Sequence, residues 1–192
     1  MILPILKYGH PILRKKGARI ESITPEIRAL IADMKETMSA AKGVGLAAQQ
    51  VGKALQLAIV DVRGVTDRPS TLHLDGRLAD VAAFMPVVLI NPQFAPVADA
   101  VAGPEGCLSF PEIYTEISRA ESIEVTALGE AGKPFSFRGG GLLARAVQHE
   151  IDHLNGILFI DRMSTAKKRE LQPELDALQT STKEALKKKV LV

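Results

Sequence analysis

Three consecutive glycines, Gly139, Gly140 and Gly141, stand directly before an apolar run from about Leu142 to Leu154. Glycines in a row carry no side chains to pack, so the chain changes element there. Beyond them, Leu142, Leu143, Ala146, Val147 and Ile151 recur at the spacing of an amphipathic helix. Gly156 is placed to end that helix. The remaining elements are short and have to pack around it.

Residues 1–22 hold Pro4, Gly9, Pro11 and Gly17 and read as extended or looped. Thr24-Pro25-Glu26 opens a helix, with Thr24 as N-cap and proline in the first helical position. Ile27, Leu30, Ile31, Met34 and Met38 mark its apolar face, and Gly43 stops it. Leu55 to Val62, Val87 to Ile90 and Phe94 to Val101 read as strands. Residues 63–86 read as a long surface connection around Pro69 and Gly76. Ile123 to Leu128 and Pro134 to Phe137 suggest a hairpin. Ser164 can cap a last helix, interrupted at Pro173 and ending in Lys187-Lys-Lys189. No repeat or second domain is visible. The expectation is an α+β fold of short antiparallel strands packed around one central helix, plus a C-terminal helix. Residues 1–192 then form one catalytic domain, with about 164–192 a helical extension.

The 192 residues suffice to bury a core, and 46% hydrophobic with 24% charged residues is an ordinary globular balance. A formal net charge of +2 is too small to imply nucleic-acid binding by the whole chain, so no DNA partner is expected. No apolar run approaches the roughly 20 residues of a membrane span, and no signal peptide is recognisable. A single cysteine, Cys107, excludes an internal disulfide and suits a reducing compartment. The expectation is a cytoplasmic enzyme, or an organellar one lacking its transit peptide.

His149-Glu150-Ile151-Asp152-His153 is an HExxH motif within the central helix. Residues i and i+4 share a face, so both imidazoles can reach one ion, and Glu150 beside them can act as general base. A catalytic site usually takes three protein ligands and leaves one position open. A third histidine at position 159 is missing, since Phe159 stands there. Glu170 or Glu174 would complete a thermolysin-like metallopeptidase, although both fall in a lysine-rich helix. Cys107, in Gly103-Pro-Glu-Gly-Cys-Leu-Ser-Phe-Pro111, is the alternative: a soft thiolate suited to Fe(II), Co, Ni or Zn, or else a small buried hydrophobe.

Three segments together resemble the peptide deformylase family: Gly43-Val-Gly-Leu-Ala-Ala-Gln-Gln50, Glu105-Gly-Cys-Leu-Ser109 and Gln148-His-Glu-Ile-Asp-His153. The similarity runs from about residue 3 to about residue 165. It implies removal of the N-formyl group from newly made polypeptides that begin with formyl-methionine, with release of formate. It further implies that Cys107, His149 and His153 bind one divalent metal ion. Fe(II) is expected, and Ni, Co or Zn can substitute. By the same resemblance Glu150 is base and then acid, while the Gln50 side chain and the Leu108 backbone N–H donate to the oxyanion. Val44, Gly45 and Gly106 line the cleft for the peptide main chain. Leu142, Arg145 and Ala146 complete the substrate-binding set.

Other residues leave two readings open. Asp152 either orients a ligand histidine or is solvated. Arg145 either faces the pocket mouth or is a solvated charge. Glu105 and Arg119 either pair to hold the cysteine loop or stand apart. His10 and His73 read as ordinary loop residues. The basic stretch Lys183 to Lys189 is either a ribosome-docking surface or a solvated tail.

Overall fold

A computed structural model describes residues 1–190, the side chains of 189 and 190 excepted, so the end of the basic stretch, Lys189, lies outside the described side chains. The helices are α1 (Pro25–Ala40), α2 (Val81–Phe84), α3 (Leu142–Leu154), α4 (Thr165–Glu170) and α5 (Gln172–Val190). The strands are β1 (Gly45–Ala47), β2 (Leu57–Val60), β3 (Ser70–Leu74), β4 (Arg77–Leu78) and β5 (Val87–Pro96). They continue with β6 (Ala100–Cys107), β7 (Phe110–Ala120), β8 (Ser122–Leu128) and β9 (Pro134–Gly141). Seven strands pair in the order β1-β2-β5-β8-β9-β3-β4, and β6 with β7 forms a separate ribbon. All of these pairings are antiparallel, so the fold is the expected α+β arrangement.

The large sheet is covered on both faces. Leu57 and Ile59 of β2 pack with Ile31, Met34 and Met38 of α1. Val60 packs with Leu143, Val147 and Ile151 of α3, and Ala58 with Leu154. A strand buried on both sides reads as the unbroken apolar run Leu57-Ala-Ile-Val60. α1 begins as expected: the Thr24 hydroxyl accepts from the Ile27 N–H at 3.4 Å, with Pro25 in the first turn. A third cluster joins Leu13, Phe110, Ile117 and Phe159 to Leu175 of α5.

Four expectations need correction. Val87–Ile90 and the strand from Phe94 are one element, β5, carried through Asn91-Pro92 by a register shift between Ile90 and Gln93. Ala100 and Val101 belong to β6 instead. Residues 63–86 are more than a connection: β3 pairs with β9 and carries β4 on the sheet edge, followed by the short α2. His73 accordingly sits on β3 and not in a loop. The glycine-rich cysteine segment and the residues after it form the β6–β7 ribbon. Pro173 does not interrupt a helix but lies in the first turn of α5, the break falling at Leu171.

Candidate active site

α3 is the platform of the site. Every residue of it except Arg145 is buried, including Gln148, His149, Glu150, Asp152 and His153 on the polar face. Burying a polar helix face is costly unless its groups find partners or a ligand. Here that face meets the β6–β7 ribbon and the segment around β1.

The Cys107 sulfur, at the end of β6, lies 3.2 Å from His153 Nε2. Cys107, His149 and His153 each offer one donor atom, and these atoms lie within 4.8 Å of one another. One thiolate and two imidazoles so grouped suit a single divalent ion. The His153 Nδ1 and one Glu150 oxygen, Oε2, are buried without a hydrogen-bond partner. Glu170 and Glu174 stand apart from this group; both are exposed, and Glu170 pairs with Lys167.

A chain of charges supports the histidine. His149 Nδ1 lies 2.5 Å from Glu105 Oε1, which leaves Nε2 for an ion. Arg119 grips Glu105 with two hydrogen bonds, of 2.7 and 3.0 Å, and reaches Asp152 at 2.5 Å. Arg162 closes the far end on Asp152 at 2.6 Å. Asp152 therefore acts on the site through Arg119 and Glu105, and it is buried rather than solvated. Burial opposes a charge on Glu105, but the hydrogen bonds from His149 and Arg119 outweigh it and hold its pKa at about 2. For Glu150, burial pushes the pKa up to about 7, with Glu105 adding to the effect and His149 opposing it.

Gln50 stands in a 3-10 turn, Ala48–Val51, directly after β1. Its Oε1 accepts from the Ala47 N–H at 2.9 Å, so its NH2 group is turned the other way. That NH2 donates to Ser109 Oγ at 3.2 Å and faces Cys107 Sγ at 3.5 Å. Leu108 is in the tight turn between β6 and β7.

A cleft of about 370 Å³ opens over these groups. Its lining includes every residue of the expected set except His153: Val44, Gly45, Gln50, Gly106, Cys107, Leu108, Leu142, Arg145, Ala146, His149 and Glu150. Two of the glycines make room for the protein itself. A Cβ at Gly45 would strike the Glu150 carboxylate, and one at Gly106 would meet the Tyr114 ring at 2.5 Å. Arg145 touches the cleft yet is not a free charge. It donates to Ile117 O at 2.7 Å and Val101 O at 2.9 Å, pinning the ribbon to α3. Sequence reasoning missed Lys7, Arg68 and Arg162. Lys7 and Arg68 meet the site from segments distant in the chain, Arg162 follows shortly after α3, and no local spacing marks them.

Two imidazoles one helical turn apart, a thiolate from a neighbouring ribbon and a buried carboxylate between them define a mononuclear metal-dependent hydrolase. The polypeptide deformylase family model matches residues 2–169, and the chain belongs to that family. It is 44% identical over 178 residues to a peptide deformylase of Methylacidiphilum infernorum, covering 93% of each chain. With a peptide deformylase of Opitutus terrae it shares 40% over 189 residues, covering 97% of this chain and 98% of the relative. The crystal structure of a peptide deformylase from Legionella pneumophila superimposes with a TM-score of 0.78 at 37% identity. That match covers 94% of this chain and 96% of the other.

Proposed function

We infer that the cleft hydrolyses the formyl amide of peptides beginning with formyl-methionine, releasing formate and leaving a free α-amine. The single observation that carries this reading is the convergence of Cys107, His149 and His153 beside a buried Glu150 with an unpartnered oxygen. Cys107, His149 and His153 would hold the ion, Fe(II) by the family resemblance, with Ni, Co or Zn as substitutes. When bound, the ion supplies a Lewis acid for the attacking water and the formyl oxygen.

Glu150 takes a proton from the attacking water as its oxygen bonds to the formyl carbon. The same carboxyl then gives that proton to the peptide nitrogen as the C–N bond breaks. A pKa near 7 suits a group that must do both. Negative charge develops on the formyl oxygen between the two steps. The Gln50 NH2 and the Leu108 N–H are the donors assigned to it. Val44, Gly45 and Gly106 flank the peptide main chain, and Leu142 with Ala146 offers an apolar surface to the methionine side chain. Arg145 holds the ribbon wall in place.

The same reading makes residues 1–192 one catalytic domain with 164–192 as its helical extension. The buried Leu175, packed among residues of the N-terminal segment and β7, supports it. A cytoplasmic setting is supported by a free thiol in the donor set, which a reducing compartment preserves. Ribosome docking through α5 is supported by the exposed Lys183, Lys187 and Lys188. Among the described residues no helix is long and apolar enough to cross a membrane.

The test is formate release from a formyl-methionyl peptide, measured alongside metal content. The enzyme loaded with Ni or Co should release formate and leave an acetyl-methionyl peptide intact. Internal cleavage of an unformylated peptide would point to a peptidase instead.

A further inference from the structure

Residues 6–8 tie together the two assigned oxyanion donors. The Leu6 N–H donates to the Gln50 carbonyl at 2.8 Å, and the Tyr8 N–H donates to the Ser109 carbonyl at 2.9 Å. Between them, the Lys7 ammonium donates to the Leu108 carbonyl at 2.7 Å, and Lys7 also lines the cleft. Three consecutive residues thus bridge the 3-10 turn that bears Gln50 and the β6–β7 turn that bears Leu108. The strap is itself anchored. The Tyr8 ring stacks on Phe110 with centroids 4.8 Å apart, and Phe110 packs against Phe159 at 4.9 Å. Gly9 lies so close to α5 that a Cβ would sit 2.8 Å from the Gln179 carbonyl.

We propose that Lys7 is a positioning residue for deformylation, fixing the Leu108 turn so that its N–H and the Gln50 amide stay aimed at one point. This rests on the oxyanion assignment made above. Of the three strap contacts, two are backbone bonds that any residue could make, and only the Lys7 contact depends on a side chain. A charge-assisted hydrogen bond to a carbonyl is about twice as strong as a neutral one. Without it the turn holding Leu108 keeps its ladder bond to β7 but gains freedom at its tip. An oxyanion donor is useful only when its position is fixed before the charge develops.

Lys7→Met keeps the aliphatic stem and both backbone bonds while removing the ammonium. With the Ni-loaded enzyme and a short formyl-methionyl peptide, we expect kcat to fall about tenfold with KM nearly unchanged, the signature of an interaction that matters in the transition state. Metal content should stay at one ion per chain. Lys7→Arg, which can still donate, should recover most of kcat. Gln50→Ala serves as the reference, and the double variant Lys7→Met with Gln50→Ala should lose less than the product of the two single losses. An unchanged kcat in Lys7→Met, while Gln50→Ala is impaired, overturns the proposal and leaves the oxyanion reading standing. A normal kcat in Gln50→Ala overturns both. A rise in KM alone would make Lys7 a substrate-binding group, and a loss of metal parallel to the loss of kcat would make it merely structural; either result refutes the positioning role.

Discussion

Glu150 and Gly45 form one steric unit, because a carboxylate buried this deeply needs space made for it. The Glu150 side chain fills the volume that any Cβ at residue 45 would take. Glu150→Ala should bind metal normally and lower kcat by about 10²–10⁴-fold, as expected for a proton-transfer group that is not a ligand. Gly45→Ala should also retain the metal, yet the methyl must displace the carboxylate. A loss of kcat on the order of a hundredfold follows from such a misplacement. Metal analysis and single-turnover formate release check both variants, and a Gly45→Ala enzyme with normal kcat would show that Glu150 tolerates the shift. At this scale the sequence was most informative. HExxH places its two histidines and its glutamate by helix geometry alone, and Cys107 as candidate third ligand came from the family resemblance. Spacing could not reveal that Gly45 serves Glu150, because 105 positions separate them and only the fold brings them into contact.

Among the elements, the β6–β7 ribbon matters most to the site and was among those misread. Its composition, Gly103-Pro-Glu-Gly106, suggests a loop, although Ile113, Thr115 and Ile117 alternate with polar residues as a strand should. The ribbon is held to α3 by ion pairs among buried groups: Glu105, Arg119 and Asp152, each under 8% exposed. Removing one partner leaves the others charged and buried. Arg119→Met should therefore cost about 3–5 kcal/mol in urea unfolding, far more than a surface substitution. The same contacts dictate a response to acid. Glu105 has its pKa lowered from 4.5 to about 2 in the folded chain. A depressed folded value means its stabilisation is fully present above the unfolded pKa and is lost as pH falls toward the folded one. Wild-type stability should thus decline between about pH 4.5 and 2. The Glu105→Gln variant, less stable at neutral pH, should show a shallower decline over that range. Parallel curves for the two proteins would remove Glu105 from the acid response.

On the scale of the whole molecule, the C-terminal extension is joined to the catalytic core, a fact hidden from local periodicity because its partners lie at the other end of the chain. Leu175 is 1% exposed and packs with Leu13, Phe110 and Phe159, while α5 also backs onto Gly9. Leu175→Ala should lower stability by about 2–5 kcal/mol, read from urea unfolding. A version ending at Ser164 would uncover the same apolar cluster, so any loss of ribosome binding in it could stem from damage to the core. Charge reversal is the cleaner probe. Lys183, Lys187 and Lys188 are exposed, and Lys183 makes a surface hydrogen bond to Gln179 at 3.1 Å. Changing all three to glutamate should leave unfolding and turnover of a short formyl-methionyl peptide within error of wild type, since surface changes away from the core cost little. If α5 docks on ribosomal RNA, the wild-type chain should pellet with ribosomes at low salt and be released steeply as salt rises, while the reversed variant stays in the supernatant. Equal pelleting of the two proteins at low salt would eliminate α5 as the docking surface and leave it the role its buried face already shows, a brace for the N-terminal segment.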